Sequence, residues 1–273
     1  MNRTGNWIIS CGMYAFTEPL RRSWQTLLEP LPDILDASLT GAEYPEATVV
    51  FDCSDETYLS PDLLIGHTCG YPYLKRWQAT HEPVAVPVFD IPGCDGTSYR
   101  SWFICRADDE RDSLAEFSQG VVALNHADSN SGMNVLRFAL KDLSPGRKFF
   151  RRVLNSGSHT ESMRLVAQGE ADIAAIDAVS FHHAADVEPA LAGGVRVFSQ
   201  SATTTGLPFI RPRKSQFGTS RILQALNEAL TSLPAPARDT LRLTGFSPVE
   251  VSDYERTQQM EHEAILAGYP VLQ

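Results

Sequence analysis

The sequence predicts an α/β protein of two lobes, built of mainly parallel sheets flanked by helices with a ligand cleft between the lobes. Three observations carry this. Short apolar runs alternate with amphipathic segments along most of the 273 residues. The runs are short and continuous, as expected of strands covered on both faces, and strands alternating with helices favour parallel pairing. Two stretches, Ile91-Pro-Gly-Cys-Asp-Gly-Thr97 and the polar Ser199-Gln-Ser-Ala-Thr-Thr-Thr-Gly206, read as hinges that cut out a middle piece with its own strand–helix series. The outer pieces must then complete one another. The expected division is residues 1–93 with 203–273 as one lobe, and 94–202 as the other.

The elements follow in order. Strands are expected at 7–11, 47–52, 84–89, 101–106, 121–125, 152–155, 171–176, 195–199 and 207–210. Helix 18–28 carries Leu20, Trp24, Leu27 and Leu28 on one face, and helix 131–140 carries Val135, Leu136, Ala139 and Leu140. Helix 160–168 carries Met163, Val166 and Ala167, and helix 219–232 carries Ile222, Leu223, Leu226 and Leu230. The tail 248–267 reads as a long polar helix. Trp24, Phe149, Phe150 and Phe246 are expected in the core, whereas Tyr71, Tyr73 and Tyr99 stand in loops near the hinges.

Composition removes several classes. Apolar residues make up 43% and charged residues 21%, and the mean hydropathy is -0.17, an ordinary globular balance. No run approaches the ~20 apolar residues of a membrane-spanning helix, so no membrane insertion is expected. The net charge of -10 repels polyphosphate at long range, so no nucleic-acid partner is expected. A small anion is not excluded, because a site a few ångströms wide answers to local dipoles. Five cysteines with no Cys-x-x-Cys pair predict reduced thiols rather than a disulfide framework or a zinc site. The apolar segment 7–16 lacks a small-x-small cleavage site and reads as the first strand. The chain as it begins is therefore expected to be cytoplasmic, and periplasmic if a leader has been removed.

Three segments bear chemistry. In Val121-Val-Ala-Leu-Asn-His-Ala-Asp-Ser-Asn-Ser-Gly132 an apolar strand gives way to small hydrogen-bonding residues and then a helix. Ser129, Asn130 and Ser131 sit at that helix start, where backbone N–H groups point outward from a positive dipole end. Two uses fit: an anion cradle, or a plain N-cap. In Val153-Leu-Asn-Ser-Gly-Ser-His159 the arrangement repeats, with Ser156, Ser158 and His159 at a second helix start. His159 is either an anion donor or the cap of its own turn. In Gly169-Glu-Ala-Asp-Ile-Ala-Ala-Ile-Asp177 a buried strand ends in an acid. Asp177 is either a ligand contact at a strand's carboxyl end or the cap of the next helix.

Together Ser129-Asn-Ser-Gly132, Ser156-Gly-Ser-His159 and the later Ala-Asp-Ile-Ala-Ala-Ile-Asp177 resemble the phosphate/phosphite/phosphonate-binding family of ABC-transporter solute receptors. Gly66-His-Thr-Cys-Gly-Tyr-Pro-Tyr73 is similar to the family's first-lobe ligand loop, and Ser98-Tyr-Arg-Ser-Trp-Phe-Ile-Cys105 to the strand entering the second lobe. The resemblance implies the type 2 periplasmic-binding-protein fold, two α/β lobes closing on a ligand. It implies that Ser129, Asn130, Ser131 and His159, with Ser158 beside them, hold a phosphonate-like head. It implies that Tyr71, Tyr99 and Asp177 line the rest, with Thr68 and Tyr14 added by analogy. The family usually has Ser-Thr-Ser where this chain has Ser129-Asn130-Ser131.

The expected function is a solute-binding protein for a small oxyanion such as a phosphonate, phosphate or phosphate ester. Its partners would be that ligand and either a transporter permease or a signalling protein. No catalytic residue, metal or cofactor is expected; neither a G-x-x-x-x-G-K-[ST] nor a G-x-G-x-x-G motif occurs. The alternatives are a cytoplasmic enzyme on the same fold, similar to futalosine-pathway menaquinone enzymes, with His159 or Asp177 as acid/base, and a soluble ligand sensor. A sensor would use the basic run Arg147, Lys148, Arg151 and Arg152, which otherwise reads as a solvated face.

Overall fold

The structure is a computed structural model and describes residues 7–36, 47–143 and 148–272. It resolves into two compact units, Met1–Asp90 with Gly206–Asp253, and Ile91–Thr205 with Tyr254–Gln273. In chain order the strands are β1 (Trp7–Ser10), β2 (Ala47–Val50), β3 (Leu63–His67), β4 (His81–Phe89), β5 (Cys94–Asp95), β6 (Ser98–Tyr99) and β7 (Ser101–Arg106). They continue with β8 (Val121–Leu124), β9 (Arg152–Asn155), β10 (Ile173–Asp177), β11 (Val195–Gln200), β12 (Thr204–Thr205), β13 (Phe209–Pro212) and β14 (Leu243–Pro248).

The first unit is built on a six-stranded sheet of order β14-β4-β13-β3-β1-β2. Helix Glu18–Leu28 starts where the Thr17 side chain accepts from Leu20 N and Pro19 occupies its first turn. It buries Leu20, Ser23, Trp24, Leu27 and Leu28, a stripe at helical spacing. Helix Thr219–Ser232 buries Ile222, Ala225, Leu226, Ala229 and Leu230. Asn227 fastens that helix to β14: its Oδ1 accepts from Phe246 N at 3.0 Å and its Nδ2 donates to Phe246 O at 3.0 Å. His67, at the end of the wholly buried β3, stacks on Phe209 at 4.5 Å and meets Tyr14 edge-on at 5.6 Å.

The second unit has a five-stranded sheet of order β11-β7-β10-β8-β9 and a small sheet of order β12-β6-β5. Its core gathers Ile104, Val121, Ala123, Met163, Val166, Ala171, Ala174, Ile176, Ala184 and Val195. Helix His159–Ala167 follows β9 after the turn Ser156-Gly157-Ser158, and helix Ala178–Val187 follows β10 directly. Phe149 and Phe150 are buried as a perpendicular pair 4.9 Å apart, and Trp24 and Phe246 are buried in the first unit. Tyr71, Tyr73 and Tyr99 are buried as well.

Two expectations are corrected. The sheets are mixed rather than mainly parallel. β1 runs parallel to β2 and β3, and β8 runs parallel to β9 and β10. β13 is antiparallel to β3 and β4, β14 to β4, and β7 to β10 and β11. A continuous apolar run signals cover on both faces and carries no information on strand direction. The tail was expected with the outer pieces, but residues 254–272 belong with the middle of the chain. Asn134 Nδ2 donates to Thr257 O at 3.1 Å, and Lys141 pairs with Glu263 at 2.6 Å. Thr257, Met260 and Ala264 are the buried positions of helix Glu255–Leu266, too few apolar residues for the sequence to say which partner covers them. Strands β3 and β14 were not anticipated; Gly66 in β3 and Gly245 in β14 interrupt the apolar runs.

Candidate functional site

The second unit brings the two serine-rich loops together. β8 ends at Leu124, and Ser129 caps a single turn of π-helix, Asn130–Asn134, that runs into helix Val135–Leu140. Ser129 Oγ accepts from Gly132 N at 2.9 Å and lies 3.4 Å from Ser131 Oγ. The Met133 and Asn134 N–H groups both turn to Ser129 O. Those of Asn130 and Ser131 are not in that set and remain the first-turn donors. Across the gap, Ser131 Oγ is 2.8 Å from His159 Nε2. Residues 28 apart in sequence thus meet, and the start of the first helical run faces the start of helix His159–Ala167.

His159 is only partly exposed, and its Nδ1 lies out of contact with solvent. Burial pushes the imidazole down to about 4, with a backbone hydrogen bond involving Ala175 acting the other way. The ring is therefore neutral near pH 7, one nitrogen a donor and the other an acceptor. Asn125, which sequence reasoning missed, approaches the same Nε2 with its Nδ2 at 3.3 Å. Gly132 is required here by space: a Cβ on it would fall 1.8 Å from Asn125 Oδ1.

The remaining expected residues divide as follows. Ser158 Oγ accepts from Glu161 N at 3.1 Å, the cap of helix His159–Ala167, and Ser158 is exposed. Asp177 Oδ1 accepts from Ser180 N at 2.9 Å and caps helix Ala178–Val187, so the capping use is the one observed. Its carboxylate also neighbours Cys94, whose thiol is pushed up to about 12 by burial first and by Asp177 second. Tyr99 lies in β6 with its hydroxyl 3.1 Å from Asn130 Nδ2. Asn130 departs from expectation. Its side chain is buried and turned inward, and Nδ2 also donates to Thr204 Oγ1 at 2.9 Å, so both amide hydrogens are engaged within the unit. What it has left to offer an anion is its backbone N–H. An amide has more donors than the threonine hydroxyl it replaces, and more of the surrounding structure can claim them.

Tyr14, Thr68 and Tyr71 lie in the first unit and are all buried. Thr68 N donates to Pro208 O at 3.0 Å, Tyr14 packs edge-on against His67 and Phe89, and the Lys75 ammonium stands 5.3 Å over the Tyr71 ring. Thr204, Asn134 and Arg137 were missed. The only signal for the last two is their spacing from Asn130, four and seven residues on, which is one helix face. Of the basic run, Lys148, Arg151 and Arg152 are exposed, and Arg147 lies outside the described residues. His182 stands 3.7 Å from Asp186. Among the described residues no helix is long and apolar enough to cross a membrane, and no group of His, Cys, Asp and Glu is arranged to hold a metal ion.

Two mixed α/β units, with helix-start serines brought together in one of them, are the architecture of a substrate-binding protein of the ABC-transporter type. The sequence profile described as "ABC transporter, phosphonate, periplasmic substrate-binding protein" matches residues 56–254. The chain belongs to that family. No curated protein matches it in sequence. Among solved structures, the binding-protein component of an ABC phosphonate transporter from Pseudomonas aeruginosa is 17% identical, with a TM-score of 0.74 over 96% of this chain and 87% of that one. PhnD1 from Prochlorococcus marinus, in complex with methylphosphonate, is 14% identical, with a TM-score of 0.72 over 96% and 98%. The alkanesulfonate-binding protein SsuA from Xanthomonas axonopodis pv. citri, bound to MOPS, is 14% identical, with a TM-score of 0.63 over 100% and 97%. At these identities the likeness shows the two-lobed fold shared with periplasmic binding proteins.

Proposed function

We propose that the protein captures a small tetrahedral oxyanion of the phosphonate class and returns it unchanged. The observation that carries this is the approach of Ser131 Oγ to within 2.8 Å of His159 Nε2, which brings a hydroxyl, an imidazole and helix-start N–H groups around one point. Such groups suit a phosphonate, phosphite or phosphate head, each N–H or O–H bond to a charged group contributing roughly 1.5–3 kcal/mol. They are neutral, so they replace the ligand's hydration without adding charge, and the overall charge of -10 does not prevent local binding. Ser129, Ser131, His159 and the Asn130 backbone are assigned to the head. Tyr99 and Asp177 of the second unit, and Tyr14, Thr68 and Tyr71 of the first, remain the candidates for the rest. The protein partner in this reading is a transporter permease.

Calorimetry with phosphate, phosphite, methylphosphonate, 2-aminoethylphosphonate and an alkanesulfonate tests it. At least one phosphorus oxyanion is expected to give heat and a thermal shift, and silence from all five overturns the reading. Ser129→Ala and His159→Ala are each expected to weaken binding by about 1–3 kcal/mol, roughly 5- to 150-fold. Unchanged affinity removes that residue from the site. Recovery of the intact anion after incubation separates this reading from an enzyme. The family description places its members in the periplasm, and cell fractionation decides between that compartment and a cytoplasmic one.

A further inference from the structure

His159 Nε2 is met by two side chains, and the nitrogen of one of them can only donate. Asn125 Nδ2 stands 3.3 Å from it and Ser131 Oγ 2.8 Å. The Asn125 amide is held in this sense by what lies behind it. Its Oδ1 is buried against Gly132, where a Cβ would fall 1.8 Å away. Turned over, the amide would bury its N–H groups against a Cα that offers no acceptor, the rarer and costlier arrangement, whereas an oxygen there faces Cα hydrogens.

A ring nitrogen that faces an amide N–H carries no proton itself. The neutral ring then keeps its single proton on Nδ1, the nitrogen enclosed away from solvent, and offers a lone pair at Nε2. The Ala175 backbone favours a proton on the ring, as a carbonyl facing a ring N–H does, and with Asn125 and Ser131 at Nε2 that proton is the one on Nδ1. The role of Ser131 follows. Its one hydroxyl proton goes to Nε2, so Ser131 Oγ shows a ligand a lone pair. Ser129 differs: its Oγ accepts from Gly132 N at 2.9 Å, which leaves its own proton to give. The loop therefore offers donors in the Ser129 hydroxyl and the first-turn N–H groups, with one acceptor beside them. A ligand oxygen that carries a proton fits that acceptor, whereas a bare oxyanion oxygen sets lone pair against lone pair.

Building on the oxyanion reading above, we propose that Asn125 is a positioning residue that holds His159 Nε2 as an acceptor, and that the Ser131–His159 pair thereby selects a singly protonated phosphorus oxyanion over a sulfonate or a fully ionised head. A singly protonated phosphonate and a sulfonate match in shape and charge, and the site tells them apart by one hydrogen. The charged groups on the elements around the ring are few. His126 and Asp128 pair with each other ahead of the loop, and Glu161 pairs with Arg164 on the ring's own helix. Asp177 caps the helix after β10, and Arg152 is exposed in β9.

The test is the Kd of the full chain for methylphosphonate and for methanesulfonate. At a pH one unit below the second ionisation of methylphosphonate, methanesulfonate is expected to bind about tenfold more weakly, the loss of one hydrogen bond to a charged group. One unit above that ionisation the singly protonated form has fallen about tenfold, and the apparent Kd for methylphosphonate is expected to rise about tenfold with it. His126→Gln repeats the comparison without the other imidazole near the loop and is expected to keep the rise. Asn125→Asp exchanges the donor for an acceptor of the same shape. Its added charge weakens both ligands alike, but the preference for methylphosphonate is expected to disappear, which a merely structural Asn125 would not produce. A methylphosphonate Kd that stays level or falls with pH, a rise lost in His126→Gln, equal binding of methanesulfonate, or a preference that survives Asn125→Asp overturns the proposal. Should Asn125→Asp not fold, NMR of the ring nitrogens in the wild-type protein decides: a proton on His159 Nδ1 supports the proposal and a proton on Nε2 overturns it. If the wild type binds no phosphorus oxyanion, the functional reading falls with the inference; if it binds methylphosphonate without this preference, the inference falls alone.

Discussion

Single side chains decide how the loop Ser129–Asn134 is built, and they are economical in kind: two hydroxyls, one imidazole, three amides and a glycine. Gly132 is the least replaceable. Gly132→Ala puts a methyl group onto Asn125 Oδ1, and Asn125 is the side chain that reaches His159 Nε2. The Asn125 side chain must leave the ring, so the variant is expected to lose anion affinity by tenfold or more, about the value of one bond to a charged group. Calorimetry with methylphosphonate reads this; wild-type affinity would mean that Asn125 does not orient the imidazole. The serines and His159 stood out in the sequence as polar residues at strand–helix junctions, where capping a helix is as ready a use as holding an anion. The direction of the Asn130 side chain was not. A side-chain amide goes where buried partners stand, and Tyr99, Thr204 and Asn134 lie 31, 74 and 4 residues away.

Each helix that matters to the site is started by a side chain at a junction: Ser129, Ser158 and Asp177 all accept from a backbone N–H three residues on. Ser158→Ala is expected to lower stability by about 1 kcal/mol, the usual value of a lost N-cap, while leaving the Ser131–His159 approach in place. Thermal unfolding with and without methylphosphonate measures both parts; an unchanged unfolding midpoint would show the cap to contribute nothing. Helices 18–28 and 219–232 were visible to the residue, because each carries an apolar stripe. Helix Ala178–Val187 was foreseen only as the helix that Asp177 would cap, without bounds. It follows β10 without a loop, and only Asp177 separates the apolar run of the strand from that of the helix. The polar helix Glu255–Leu266 was foreseen as a helix, yet its partner was not.

Across the whole chain, buried histidines tie stability to pH. Burial brings His67 down to about 3 and His159 down to about 4, against about 6.5 in an unfolded chain. Between those values the unfolded state binds protons that the folded state refuses, so stability rises with pH through this window and is lost as pH falls below about 6.5. The unfolding midpoint is expected to fall from pH 7 to pH 5, with about two protons taken up per molecule unfolded near pH 5. Calorimetry in buffers of different ionisation enthalpy counts those protons; a midpoint that holds from pH 7 to 5 would contradict the burial of both rings. The same neutrality means that His159 adds no pH dependence to anion binding between pH 6 and 8 unless the ligand itself titrates.

Local pattern was enough for the α/β class, most elements, the family and the serine–histidine loops, because periodicity, turn chemistry and capping are written in residues a few places apart. Strand direction, the allegiance of the last helix and the contact of Asn125 with His159 needed the folded chain. Each depends on partners distant in sequence, and hydrophobic burial, being without direction, marks that a face is covered without saying by what.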